Sequence, residues 1–137
     1  TSKLKDSIVR LLTRREYSAH EITIKMEEKN WEQEAIAHEL EILQSEGLQS
    51  DKRFCEALCR HYSYQGKGPA FVCHELINRG ICQNLAQEVI DVFCWQDSFD
   101  IACRKLSSVS GSVLSKRLYA RGFSPDSMER YQLQLKE

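Results

Sequence analysis

The chain has 137 residues with 19 basic and 20 acidic side chains, and this balance gives no global field that would attract nucleic acid or an anionic membrane. The length suits one ordinary domain or a short array of units of about 40 residues. No apolar run approaches the roughly 18 residues that a membrane span needs, and the charged start lacks a signal peptide's apolar stretch. We therefore expect a cytoplasmic protein with no membrane contact, and its first residue, Thr1, indicates a trimmed or processed form.

The first predicted unit, residues 1–50, contains three helices. The helices are predicted over residues 4–15, 19–29 and 32–46. Ser18 and Glu21 fit a capping box at the second helix, and Gly47 ends the third. The periodicity turns Ile8, Leu11 and Leu12 inward and places four further residues at helical spacing: Ala35, Ile36, Leu40 and Leu43.

The second predicted unit, residues 51–93, has helices that begin near Asp51, Pro69 and Asn84. Pro69 suits the first helical position because its missing N–H has no partner there in any case. The first of these helices is apolar on nearly every side, as expected for an element that is covered from two directions. Its apolar residues are Phe54, Cys55, Ala57, Leu58, Cys59 and Tyr62.

The third predicted unit, residues 94–137, repeats the plan. Its first helix contains DSFDIACRKL, in which Phe99, Ala102 and Cys103 occupy the places of Phe54, Ala57 and Leu58. The last helix begins at Pro125, after the N-cap Ser124, and continues to the C-terminus.

One pattern recurs at the middle helix of all three units. SAHEITIKMEEKNW (18–31), GPAFVCHELINRGI (68–81) and SGSVLSKRLYARGF (110–123) align without a gap. The alignment places Ser18, Gly68 and Ser110 at N-caps, and Asn30, Gly80 and Gly122 at left-handed helix stops. Two apolar columns lie between the caps. The first contains Ile22, Val72 and Leu114, and the second contains Met26, Leu76 and Leu118. A large apolar residue follows each stop: Trp31, Ile81 and Phe123. The sequence therefore predicts an all-α protein of three tandem three-helix, helix-turn-helix-like repeats that stack into an elongated, curved array.

The six cysteines do not form a metal or disulfide motif by their spacing. No C-x-x-C pair is present, and Cys55 and Cys59 lie one turn apart in an apolar helix, where a thiol behaves as a small hydrophobe. We expect reduced core thiols. Zinc, with Cys55, Cys59, His61 or His74 as ligands, and disulfides are the alternatives.

No motif in the chain predicts catalysis or a bound cofactor. The Gly66–Gly68 segment is too short for a phosphate-binding loop, and the four histidines have no nucleophile at motif spacing. We expect no enzymatic activity. Direct base reading is also disfavoured, because the helices after each stop begin WEQEA, CQNLA and SPDSM, in which only Gln83 and Asn84 could read a base.

Cations recur just before the three helix stops, at Lys29, Arg79 and Arg121. One interpretation is that these cations interact with the helix dipole and keep the surface soluble. In the other, they form a ladder along one side of the array that suits an acidic protein groove or a phosphate backbone. Further cations that could extend this surface are Lys25, Lys116, Arg117, Arg14, Arg15, Arg53, Arg60 and Lys67.

Two runs, LLTRREYSAHEITIKM and DKRFCEALCRHYSYQGKGPAFVCHELINRGI, resemble the bacterial RecX family, regulators of the RecA recombinase. The most specific part is the Gly-x-Gly-Pro, apolar, Glu-Leu, Arg-Gly-Ile pattern, which begins at Gly66 and ends at Ile81. The likeness covers essentially the whole chain and includes LYARGFSPDSM in the third unit.

The resemblance implies a regulator that lodges in the groove of the RecA filament on single-stranded DNA and suppresses its ATPase, strand-exchange and coprotease activities. No cofactor or metal is implied, and we expect a monomer. The candidate contact residues are Arg15, Lys29, Lys67, Arg79, Arg117 and Arg121. The alternatives are a module that binds nucleic acid directly through the same cations and a helical adaptor for another protein.

Overall fold

The structure is a computed structural model that describes the backbone of residues 3–135 and the side chains of residues 3–126 and 128–131. Within this range every regular element is an α-helix, which confirms the all-α prediction. The helices are α1 (Lys3–Leu12), α2 (Ala19–Glu28), α3 (Gln33–Ser45), α4 (Asp51–Ser63), α5 (Pro69–Asn78), α6 (Gln83–Val92), α7 (Gln96–Lys105), α8 (Gly111–Ala120) and α9 (Pro125–Leu135). Helices of 10 to 13 residues are marginal alone in water, so packing must stabilise them. No helix in the described range is long and apolar enough to cross a bilayer.

The buried side chains form three clusters, one for each consecutive group of three helices. The first contains Leu4, Ile8, Tyr17, Ile22, Met26, Ile36, Leu40 and Leu43. The second contains Phe54, Cys55, Leu58, Cys59, Val72, Leu76, Ile81, Ala86, Val89, Ile90 and Trp95. The third contains Phe99, Ala102, Leu106, Leu118, Phe123 and Met128. Tyr131 packs against both the second and the third cluster, so these two groups share apolar contact.

The helix ends follow the local signals in the sequence. Ser18 caps α2: its Oγ accepts a hydrogen bond from the Glu21 N–H at 3.1 Å, and the Glu21 carboxylate accepts one from the Ser18 N–H at 3.1 Å. The predicted capping box is therefore confirmed. The three stops also have the predicted left-handed backbone, with φ of 70° at Asn30, 88° at Gly80 and 103° at Gly122.

Several details differ from the predictions. The first helix ends at Leu12 rather than at residue 15, because the chain turns there to bury Tyr17 and to place the Ser18 cap. Ala35 lies outside the apolar stripe and is exposed, while Leu114 and Trp31 are only half-buried. Trp95, which the sequence assigns to the third unit, packs in the second cluster, where its indole N–H donates to the Ile90 carbonyl.

The three groups of helices are joined by a contact that occurs twice. At the first junction, the start of α2 meets the end of α5, and the Ser18 hydroxyl donates to the Arg79 carbonyl at 2.8 Å. At the second, the start of α5 meets the end of α8, and the Gly68 N–H donates to the Arg121 carbonyl at 2.7 Å. Helix ends leave carbonyl and N–H groups without intrahelical partners, so each contact satisfies groups that the helices cannot satisfy alone.

This close approach explains why two of the stops are glycine. A Cβ at Gly122 would lie 2.5 Å from the Phe71 backbone nitrogen, and one at Gly80 would collide with the His20 side chain. The equivalent stop in the first group, Asn30, is exposed and accommodates a side chain at a positive φ. Glycine at the later stops therefore serves the junction as well as the left-handed backbone.

Candidate protein-interaction surface

The first junction is centred on the carboxylate of Glu21, at the start of α2. The Arg15 guanidinium lies 3.3 Å from one of its oxygens, and the Arg79 guanidinium lies 3.5 Å from the other. Arg15 also covers the face of Tyr17, with its guanidinium carbon 3.6 Å from the ring centre. Two of the six candidate cations thus meet on one carboxylate.

Arg79 is held from several sides. Beyond Glu21, its guanidinium donates to the Tyr62 hydroxyl at 3.5 Å and lies 3.9 Å from the Glu75 carboxylate, and its side chain is 31% exposed. A cleft of about 330 Å³ opens beside it. The cleft is lined by Arg15, Glu16, Phe54, Ala57, Leu58, His61 and Arg79.

The second junction engages two more candidate cations. The Arg121 guanidinium donates to the Gln65 carbonyl at 3.2 Å, and the Lys105 ammonium donates to the same oxygen at 3.2 Å. The Lys67 ammonium lies 4.7 Å from the centre of the Phe71 ring, and the Lys67 carbonyl accepts a hydrogen bond from the buried Ser98 hydroxyl. Arg121 and Lys67 therefore contribute to the junction as well as to the surface.

The two remaining candidates are available to solvent. Lys29 and Arg117 are exposed, and neither has an ion pair among the described residues. Lys29, Arg79 and Arg121 do occupy the equivalent C-cap positions that the sequence predicts. However, the Arg79 side chain pairs with Glu21 and the Arg121 side chain donates to the Gln65 carbonyl. Lys29 precedes the exposed helix stop at Asn30 and has no such contact among the described residues.

The sequence does not reveal the residues that these cations bind. Glu21 carries a capping signal, yet its role at the junction depends on Arg79, which lies 58 residues further along the chain. The Gln65 acceptor is a backbone carbonyl, which every residue has, so the sequence does not mark it as the partner of Arg121. The repeat alignment carries a signal for the junctions, since it pairs residue 20 with 70 at the helix starts and residue 80 with 122 at the helix stops, the positions that meet there.

All six thiols are unbridged. Burial is the main cause that raises the pKa of both the Cys55 and the Cys59 thiol to about 12, so they are inert core groups. The expectation of core thiols is confirmed for this pair and wrong for Cys82 and Cys94, which are exposed at the start of α6 and in the connection after it. Among the described residues, no group of three or more His, Cys, Asp and Glu side chains is arranged to hold a metal ion.

The candidate base readers lie at the first turn of α6. Gln83 and Asn84 are exposed there. At the corresponding turn of α3, the Gln33 amide donates to the Glu27 carboxylate at 2.7 Å, so an acidic side chain occupies that position. These turns present few donors to a base edge.

Tandem three-helix groups joined through helix ends, with cations on the surface, define a helical repeat array of the kind that presents an extended surface to a macromolecular partner. Comparison with family models agrees with this class. The second three-helix domain of RecX matches residues 50–90, and the first three-helix domain of RecX matches residues 5–41.

The chain belongs to the RecX family. It is 33% identical over 132 residues to the regulatory protein RecX of Pseudomonas putida, an alignment that covers 88% of this chain and 83% of that protein. It is 43% identical over 89 residues to the regulatory protein RecX of Legionella pneumophila, which covers 65% of this chain and only 59% of that protein's length.

Two solved structures show the same fold at low sequence identity. The crystal structure of RecX from Lactobacillus salivarius is similar with a TM-score of 0.81 at 18% identity and covers 98% of this chain and 95% of that one. A second crystal structure, of a regulatory protein RecX, has a TM-score of 0.73 at 18% identity and covers 95% of this chain and 70% of that one.

Proposed function

We propose that this chain is a non-enzymatic, cytoplasmic regulator that binds the RecA filament on single-stranded DNA and mainly inhibits its ATPase, recombinase and coprotease activities. DNA repair, homologous recombination and the SOS response are the processes it would control. The observation that carries the proposal is the alignment with a regulatory protein RecX over 88% of the chain. The protein acts as a monomer in this account and needs no cofactor.

The repeated junction supports a mechanism. In our proposal the α7–α9 group is a third repeat, and the start-to-stop contact stacks the three repeats into an elongated, curved array that spans neighbouring filament subunits. The repeats correspond to residues 1–50, 51–93 and 94–137. A ligand that contacts adjacent subunits in one filament geometry biases the filament toward that geometry, in proportion to its difference in affinity between geometries.

The six cations divide by their surroundings. Lys29 and Arg117 are exposed, and in our proposal they contact the filament directly. Arg15 and Lys67 lie at the junctions, where each packs over an aromatic ring. In our proposal they extend the same contact surface. Arg79 and Arg121 contribute mainly by holding the junctions in register, through Glu21 and Gln65.

Charge reversal tests this assignment. Lys29→Glu together with Arg117→Glu is expected to weaken filament binding while leaving the thermal midpoint unchanged, because neither side chain has an ion pair to lose among the described residues. Arg79→Glu together with Arg121→Glu is expected both to weaken filament binding and to lower the thermal midpoint, because both side chains lose contacts at the junctions. Filament binding by co-sedimentation, with the melting curve of each variant, separates the two effects. Unaltered inhibition of RecA in both double variants would remove these site assignments and leave the function itself standing.

Weak direct contact with nucleic acid is a second candidate, and the exposed Gln83 and Asn84 favour it. Phosphate binding weakens steeply as salt rises, with a slope set by the number of phosphates neutralised. Binding of the protein to single-stranded DNA without RecA, with such a slope, would support this candidate over the filament regulator. A role as a helical adaptor for another protein would show neither RecA dependence nor that slope.

A further inference from the structure

Helix α8 differs from the two helices that align with it. Helix α2 carries three glutamates and α5 carries one, whereas α8, with the sequence GSVLSKRLYA, has no acidic residue. Its cations, Lys116 and Arg117, are both exposed and have no ion pair among the described residues. The helix therefore presents two cations that no carboxylate within the helix itself balances.

Large apolar side chains lie beside these cations. Tyr119 is 65% exposed and Val113 is 47% exposed. A cleft of about 420 Å³ separates α8 from α9 next to the Tyr119 ring. It is lined by Ser115, Lys116, Tyr119, Pro125, Met128 and Glu129.

In the other two helices, the position that corresponds to Val113 is occupied. Val113 aligns with Glu21 in α2 and with Phe71 in α5. Glu21 pairs with Arg79, and Phe71 lies against the Gly122 stop. In α8 this position is exposed, and no atom lies within 4 Å of a Cβ added to Gly111 at the start of the helix. The position that makes the junction contact in α2 and α5 therefore remains open in α8.

We propose that this face of α8, formed by Val113, Lys116, Arg117 and Tyr119, docks an acidic segment of the filament protein whose apolar or aromatic side chain enters the cleft. The carboxylates of the segment would bind Lys116 and Arg117, and its apolar side chain would pack against Tyr119 and the floor at Met128. This inference rests on the proposed function and adds the chemistry of the partner segment.

Charge on the neighbouring helix favours a peptide over a nucleic acid. Glu129 is exposed on α9 and lines the cleft together with Lys116 of α8, so the α9 side of the cleft already carries a carboxylate. A nucleic-acid strand carries a phosphate about every 3.4 Å, so some phosphates in the cleft would lie near the carboxylate of α9 and be repelled by it. A peptide can carry its carboxylates on the α8 side alone and place an apolar group between the helices.

The test uses the full chain and three variants. The double variant Lys116→Glu with Arg117→Glu removes the cations, and Tyr119→Ala removes the aromatic wall. Lys25→Glu is the matched control, because Lys25 is exposed on α2 at the position equivalent to Arg117. The probes are RecA filaments on single-stranded DNA, a fluorescent synthetic peptide with Asp and Glu on both sides of one Phe, and a fluorescent oligo-dT of equal charge.

We expect the double variant and Tyr119→Ala each to weaken binding to filament and peptide by about tenfold, the scale of removing charge pairs or an aromatic anchor from an interface. Lys25→Glu should stay within about twofold of the unmodified chain, as surface substitutions away from a contact do. The substituted side chains are exposed, so circular dichroism should show unchanged folding; if the double variant unfolds, Tyr119→Ala decides alone.

Failure of the docking inference and failure of the proposed function give different results. If the unmodified chain binds the filament and the α8 variants bind it equally well, the inference is wrong and the proposed function stands. If the unmodified chain binds the peptide through α8 but never binds the filament, the proposed function fails and the docking chemistry stands. Tighter binding of oligo-dT than of the peptide, lost in the same variants, would overturn the inference in favour of a phosphate surface.

Discussion

Replacing Gly122 with alanine probes the junction between the second and third groups of helices. At φ 103° an L-residue is strained, which costs about 1–2 kcal/mol, and the new Cβ would lie 2.5 Å from the Phe71 nitrogen and 2.7 Å from the Phe71 Cβ. Such overpacking against backbone costs a further 1–3 kcal/mol or so. We therefore expect Gly122→Ala to lower the free energy of unfolding by about 3 kcal/mol.

Gly47→Ala is the matched control, because Gly47 ends α3 with φ 76° and has no atom within 4 Å of an added Cβ. It should lose only the strain component, about 1 kcal/mol. Urea unfolding followed by circular dichroism measures both values, with the slope checked for a change in exposed surface. Equal destabilisation of the two variants would refute the claim that the helix stop is a packed junction.

Three other predictions concern the first junction and the thiols. Arg79→Glu places a third carboxylate beside Glu21 and Glu75 and should cost about 2 kcal/mol in urea unfolding, against less than about 0.5 for the exposed Lys29→Glu; equal losses would contradict the junction role. Glu21→Gln should cost about 1 kcal/mol, since it weakens both arginine contacts, and this loss should shrink in high salt; a loss independent of salt would show that capping alone matters. Cys55, with its pKa raised to about 12 by burial, should resist maleimide at pH 8 while the exposed Cys94 reacts, as peptide mass spectrometry would show.

The raised pKa values of the Cys55 and Cys59 thiols predict a loss of stability at alkaline pH. The unfolded Cys55 and Cys59 thiols ionise near 9.0, whereas the folded ones hold their protons up to about 12. The unfolded state therefore loses protons first, and stability falls as pH rises from 9 to 12. A free energy of unfolding that stays level across this range would contradict the burial of these thiols.

The helices and their ends could be predicted from the sequence because local residues determine them. Ser18 with Glu21 defines a cap within four residues, and Gly80 and Gly122 tolerate a left-handed backbone at no steric cost. The helical period then assigns residues such as Met26 to the core. These signals need no knowledge of distant parts of the chain.

The partners of the cations could not be predicted in the same way. Helical periodicity tells which face of α5 is buried, but it does not say that Arg79 will reach Glu21 in another group of helices. That pairing depends on how α2 sits on the end of α5, which involves contacts between residues about 60 positions apart, such as the hydrogen bond from Ser18 to Arg79. The alignment places Lys29, Arg79 and Arg121 in one column, yet only the fold separates the exposed lysine from the two engaged arginines.

DNA-dependent ATP hydrolysis by RecA, measured with and without substoichiometric amounts of this protein, tests the central proposal most directly. We expect hydrolysis to fall, and the protein to sediment with the filament, because one array contacting adjacent subunits affects more than one of them. An unchanged rate of hydrolysis, with no protein in the filament pellet, would contradict the account.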